Sequence, residues 1–173
     1  MKRRSFRKYF AVILSLLLLL TSVPAIPIQV SAEEPSLLKK FDFGTPTSSL
    51  QDGYIKVSSD TAYSAETGYG FADISKVTSQ DRSTSDSLKS DFISTTETSF
   101  NVDLPNGDYS VTVIAGDNED TTNVGIKAEN IQKVQNASVL KGEFIEREFE
   151  IALIDGKLNF EFTGPNPKVN GMT

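Results

Sequence analysis

The residues able to do chemistry cluster in one polar stretch and in one acidic turn. Tyr63, Tyr69 and Phe71 stand within nine positions of one another, and Gly68 and Gly70 flank Tyr69. Tyr69 and Phe71 share a parity, so in an extended segment both rings point to one side. They make either a surface on which a flat partner stacks or a plug closing one end of a β-structure. The glycines would let a ligand or another strand approach the backbone closely. Downstream, Asp81, Arg82 and Asp86 form a charged group. Arg82 could grip a carboxylate with its forked guanidinium or form an ion pair within the domain. A third group, Gly116–Asp120, reads GDNED and sets Asp117 and Asn118 side by side. Carboxylates and amides are hard-cation ligands, but an EF-hand fails here. Thr122 stands where glycine is required and Ala128 where the bidentate glutamate belongs. The expectation for GDNED is a solvated hairpin end; a structural calcium elsewhere, involving Asp42, stays open.

What is missing narrows the chemistry further. The chain has no histidine and no cysteine. Neither a Ser-His-Asp nor a Cys-His arrangement can be built from it, nor an imidazole or thiolate metal site. Paired carboxylates could in principle cleave a glycosidic bond, and Tyr, Lys or Arg could act as a base. With 23 acidic residues some pair always lies at a workable separation, so no spacing singles out either route.

The first 32 residues read as an export leader. MKRRSFRKYF carries five basic residues, AVILSLLLLL is a short apolar run, and Val30-Ser31-Ala32 supplies a small-residue cleavage pattern. The alternative is an uncleaved anchor, although the run falls short of the roughly 20 residues of a membrane span. Of the 17 basic residues five lie in the leader, so 12 basic against 23 acidic remain, a net charge of −11. Such a chain repels phosphate backbones and offers no basic patch to anionic lipid, which argues against nucleic-acid and membrane partners. The expected organisation is a leader over residues 1–32 and one secreted domain over residues 33–173.

The elements that must position these groups repeat with period two. Phe100–Leu104, Tyr109–Ala115, Phe149–Leu153 and Leu158–Phe162 alternate apolar and polar residues. Further strands are expected at Leu37–Phe43, Tyr54–Val57, Asn123–Ala128, Ile131–Gln135 and Phe144–Leu153, with one helical turn over Asp86–Phe92. Pro105–Asp108 and Asp155-Gly156 read as tight turns, hence two hairpins. The polar section Ser58–Thr98 is expected to wrap the edge as loops and short strands. Together these predict an all-β, antiparallel β-sandwich. Lys168–Thr173 reads as a strand that stops in mid-alternation, so the sandwich is expected to lack its last strand and to be truncated from a longer protein. Asn136-Ala137-Ser138 matches a glycosylation sequon, without meaning in a bacterial export.

Several of these segments resemble a known family. Lys40–Gly44, Asp52–Tyr54, Gly68–Phe71, Asp81-Arg82 and above all VDLPNGDYSVTVIAGD, Val102–Asp117, are similar to a galactose-binding-like domain. That domain stands at the N-terminus of secreted bacterial agarases and SGNH-type esterases of the rhamnogalacturonan acetylesterase kind. It is related in shape to malectin-like and other jelly-roll carbohydrate modules. The resemblance covers Phe41–Asn170 and implies an accessory module that binds carbohydrate beside a catalytic esterase domain, on plant cell-wall or galactan-type polysaccharide. It implies a contact set of Tyr63, Tyr69, Phe71, Arg82, Asp86, Asp117 and Asn118, aromatic rings stacking on a pyranose while polar groups take its hydroxyls. It carries no catalytic residue and no cofactor. A purely structural spacer and a small glycan-active enzyme are the alternatives.

Overall fold

The computed structural model describes residues 38–173; the segment read as an export leader lies outside the described residues. Strands β1 (Phe41–Gly44), β2 (Ile55–Ser58) and β3 (Tyr69–Phe71) come first, then a single 3-10 turn over Ile74–Lys76. There follow β4 (Thr78–Asp81), β5 (Asp91–Ser94), β6 (Ser99–Asp103) and β7 (Gly107–Gly116). The chain continues with β8 (Thr122–Ala128), β9 (Ile131–Val139), β10 (Phe144–Leu153), β11 (Lys157–Asn166) and β12 (Val169–Met172). One sheet runs β10-β7-β12-β1-β2 with β4 and β5 attached beside β12; the other runs β3-β6-β11-β8-β9. The result is an all-β jelly-roll sandwich. Its strand-to-strand pairings are antiparallel except that β1 and β2 run parallel, Phe41 opposite Ile55; an isolated parallel bridge joins Ala62 to Phe71.

The period-two runs fall where the alternation places them. Leu158, Phe160 and Phe162 of β11 face the core, as do Phe149, Ile151 and Leu153 of β10, while Glu148 and Glu150 face water. Ser58–Thr98 does wrap the edge as short strands and loops. A hydrogen-bonded turn follows Asp86, whose Oδ1 accepts from the Leu88 and Lys89 amides at 3.2 Å each.

Two expectations are corrected. Neither tight turn closes a hairpin: Pro105-Asn106 carries the chain from β6 in one sheet to β7 in the other, and Asp155-Gly156 carries it from β10 to β11. Gly156 takes φ +82°, so the local turn chemistry is right, but a turn says where the chain reverses and not which strand it pairs with. The two corners are tied together: Leu104 N–H donates to the Gly156 carbonyl at 3.1 Å, and Asn106 Nδ2 donates to the Ile154 carbonyl at 2.9 Å. The tight hairpin joins β8 to β9, where Glu129 and Asn130 both hold positive φ, 51° and 61°, as a type I′ turn requires. The closing strand is also present. Lys168–Thr173 supplies β12, flanked by β1 and β7, because the Val169 and Met172 side chains bury in the core.

Between the sheets the core is dominated by phenylalanine. The Phe100 ring meets Phe41, Phe43 and Phe71 at centroid distances of 5.2, 5.0 and 5.3 Å, the first two edge to face. Such geometry adds about 0.5–1.5 kcal/mol per pair beyond area burial. Phe100→Ala should therefore destabilise the domain by roughly 3–5 kcal/mol in urea unfolding. Ile154→Ala, at a residue 85% exposed, should stay within about 0.5 kcal/mol of wild type.

Candidate functional site

The shared parity of Tyr69 and Phe71 holds, but both rings turn inward. On β3 they stand opposite Val102 and Phe100, and Phe71 is fully buried. Phe71 is a core residue and cannot stack on a ligand, which corrects its place in the contact set. Tyr69 is half-buried, its ring 5.3 Å from Phe41. Gly70 explains the inward turn. Its φ is +139°, and a Cβ there would sit 2.5 Å from the Ala62 carbonyl carbon. The close approach that the glycines permit is made by the Thr61–Tyr63 backbone, through Phe71 N–H to the Thr61 carbonyl and Tyr63 N–H to the Phe71 carbonyl, 2.9 Å each. Tyr63 is half-buried too, and its polar tip is taken: the hydroxyl donates to Asp103 at 3.0 Å, and the Lys157 ammonium lies 4.1 Å from its ring centre.

The charged residues come together at the far end of β11 from Lys157, about 30 Å away at ~3.3 Å per residue. Arg82 grips Asp117 in the forked geometry, Nε to Oδ1 at 2.8 Å and Nη2 to Oδ2 at 2.7 Å, and reaches Glu119 with Nη1 at 2.9 Å. Lys168 Nζ also bonds Asp117 Oδ2, and Asp120 at 3.1 Å. GDNED is thus not a solvated hairpin end: it joins the two sheets, and the Asp117 side chain is wholly buried. Burial alone would raise the Asp117 carboxyl, but the bonds from Arg82 and Lys168 win and hold it down at about 2. Asn118 Nδ2 donates to the Lys89 carbonyl at 2.7 Å, locking this turn to the Arg82–Ser90 loop. Asp86, half-exposed, caps that loop and pairs loosely with Lys89 at 3.8 Å. Arg82, Asp117 and Asn118 therefore converge, yet Arg82 and Asp117 bond each other and Asn118 bonds the Lys89 carbonyl.

A second polar cluster was only half visible in the sequence, which singles out Asp42 but not Asp91. Asp42, pointing out of β1, and Asp91, opening β5, are both about 1% exposed beneath the Thr45–Tyr54 loop. Asp42 Oδ2 accepts from the Gln51 amide at 2.7 Å, and Asp91 Oδ2 accepts from the Ser48 hydroxyl. A Cβ on Gly44 would collide with the Asp91 carboxylate, so glycine makes room for it. The Oδ1 of each aspartate, and that of buried Asn170, has no hydrogen-bond partner among the described residues. Burial first, and the neighbouring Asp42 charge second, push Asp91 up to about 6 against the Ser48 bond and the Lys56 charge. Asp42 is raised as well, by burial above all. Among the described residues no three Asp or Glu side chains gather closely enough to hold a metal by themselves.

An unclaimed polar surface lies where the edge strands β9 and β10 meet. A concavity of about 620 Å³ is lined by Asp108 and Ser110 of β7, Ile131 and Lys133 of β9, and Glu150 and Ala152 of β10. Lys133 Nζ donates to the Glu150 carbonyl at 2.7 Å, bridging the two sheets. Ile131, 55% exposed, gives the trough an apolar wall. Donors, acceptors and an aliphatic face at nearly balanced charge suit a neutral, hydroxyl-rich ligand. Nothing but their alternation marked these residues in the sequence, since polar strand faces are usually just solvated.

Comparison with known proteins settles the family. Residues 39–169 match the beta-agarase/YXIM esterase-like, galactose-binding domain-like family. The chain belongs to this family. It is 31% identical to beta-agarase A of Zobellia galactanivorans over 131 residues, 73% of this chain and 24% of the agarase. It is 35% identical to the uncharacterized esterase YxiM of Bacillus subtilis over 141 residues, 78% of this chain and 34% of the esterase. A crystal structure of YxiM superimposes with a TM-score of 0.66 at 30% identity, covering 78% of this chain and 38% of that one. Beta-glucuronidase 2 of Bacteroides uniformis shares the fold at 14% identity, with a TM-score of 0.58 over 79% of this chain and 17% of the enzyme. The galactose-binding-like domain described here thus spans about a quarter to a third of the curated relatives' length.

The two aspartate clusters respond oppositely to pH. Asp91 has a folded pKa above its unfolded one, so its charged form opposes folding. Stability falls as pH rises from about 4 through 6, by up to about 3 kcal/mol. Urea unfolding at pH 5.0 and 7.5 should show this slope in wild type and lose most of it in Asp91→Asn. Arg82→Met leaves Asp117 buried with Lys168 as its single remaining side-chain cation and should cost roughly 2–4 kcal/mol at pH 7.

Proposed function

We propose that this domain is a non-catalytic, carbohydrate-binding-like accessory module of a secreted polysaccharide-degrading esterase or hydrolase. The parent acts on pectic, rhamnogalacturonan or galactan-type glycan and is of the SGNH type. The glycan contact is the β9–β10 trough. The observation that carries this reading is a concavity offering Asp108, Ser110, Lys133 and Glu150 around an exposed aliphatic wall, in a galactose-binding-like domain. Of the curated relatives the beta-agarase supports a glycan-directed role, and the esterase supports an ester-cleaving parent. Within that class the neutral galactan-type polymers suit best a domain whose net negative charge disfavours uronate-bearing ones.

One observation favours a second reading, a spacer that braces a catalytic domain without binding sugar. The exposed large hydrophobic side chains among the described residues are all aliphatic: Leu38, Leu50, Ile74, Ile131, Leu140 and Ile154. Among the described residues none of these exposed side chains is an aromatic ring on which a pyranose could stack.

Affinity gels loaded with pectic galactan, rhamnogalacturonan or agarose separate the two. Glycan binding predicts retardation on at least one gel, lost in a Lys133→Ala, Asp108→Ala double variant whose Tm stays within a few degrees of wild type. Unretarded migration on all three leaves the spacer. Because the chain offers neither histidine nor cysteine, incubation with acetylated rhamnogalacturonan should release no acetate above the buffer rate.

A further inference from the structure

Strand β7 is paired along its whole length on one side and along only half of it on the other. From Gly107 to Gly116 every residue stands opposite β10. On the opposite side β12 covers Ala115 to Val113, and Thr112 exchanges both hydrogen bonds with Thr173, at 2.8 and 2.9 Å. In an antiparallel ladder the peptide groups of alternate residues point the same way, so those of Ser110 and Asp108 point where Thr112's do. No strand among the described residues pairs with them. An unpaired stretch in the middle of a sheet, rather than at its rim, is a costly arrangement.

An apolar slot lies beside that stretch. Its volume is about 50 Å³, with Phe41 on one wall, Tyr109 and Val111 on the other, Leu158 and Phe160 beneath, and Met172 at its closed end. A cavity of this size and lining holds one aliphatic side chain. It sits in line with β12, between the start of β1 and the unpaired half of β7. The family gives it a source of chain: the curated relatives are about three to four times the length of the region they share with this domain.

We propose that the slot is a strand acceptor, filled by an extended segment that continues β12 antiparallel to β7. Its backbone pairs with Ser110 and Asp108, and the side chain two positions beyond Met172 fills the apolar slot. The segment leading to a neighbouring domain is then stitched into the middle of the sandwich instead of hanging from it. Domain orientation would be set by the sheet, independently of whether the trough holds glycan.

The test compares three forms of the chain: ending at Thr173, carrying a Val-Thr-Val-Lys tail, and carrying a Thr-Val-Lys-Val tail. Both tails have one composition, but a one-residue shift turns every side chain to the other face. The first tail should slow hydrogen exchange at the Ser110 and Asp108 amides roughly tenfold or more and raise Tm by a few degrees. The second should do neither. Equal behaviour of the two tails would overturn the proposal. So would a Ser110 amide in the untailed chain already as protected as that of Val111, since another segment or a second copy would then occupy the slot. Glycan retardation is measured on the untailed chain, so failure here leaves the functional reading standing.

Discussion

The sandwich depends on a cluster of phenylalanine rings held between two sheets that the chain crosses repeatedly. Phe100 sits at its centre, with Phe41 and Phe43 arriving edge-on from the opposite sheet and Phe71 from its own. A domain without disulfides has to be held by packing, and phenylalanine rings are the largest of its fully buried side chains. Their positions dictate the rest. Because β1 contributes Phe41 and Phe43 inward, Asp42 must face outward; because Phe71 faces inward, Gly70 must let the Thr61–Tyr63 backbone lie against it.

The polar chemistry follows the same division. At one end Asp103, Tyr63 and Lys157 satisfy one another; at the other, Arg82 and Lys168 neutralise Asp117. Both sets close loops, and removing a single partner from the buried one would strand a charge. The Asp42–Asp91 cluster is the exception, two carboxyls under one loop, each with an oxygen that has no partner among the described residues. Groups free to meet a ligand are left along the strand edges, where β9 and β10 present alternating polar residues on either side of Lys133.

How much of this the sequence displayed depends on the range of the interaction. Period-two alternation is local, and the strands of β7, β10 and β11 were legible from it. Turn chemistry is local too, but pairing is not: Pro105-Asn106 and Asp155-Gly156 look like hairpin turns and serve as sheet-crossing corners. Phe71 could not be assigned from its neighbours, because a ring beside glycine is buried or bare according to what backs the glycine, here a segment seven to nine residues upstream. Asp117 was read as solvated because its partners Arg82 and Lys168 lie 35 and 51 residues away. Trough residues gave no signal, since an edge strand that binds and one that merely solvates carry the same polar face.

The central claim is that the inward aromatics and the paired charges hold the fold, while ligand contact belongs to the β9–β10 surface. Backbone amide NMR of the domain titrated with galactan and rhamnogalacturonan oligosaccharides tests it most directly. Shift changes should concentrate at Asp108, Ser110, Ile131, Lys133 and Glu150, with Tyr63, Tyr69, Arg82 and Asp117 still. Changes centred on the Tyr63–Phe71 loop or on the Arg82–Asp117 end, with the trough silent, would contradict it.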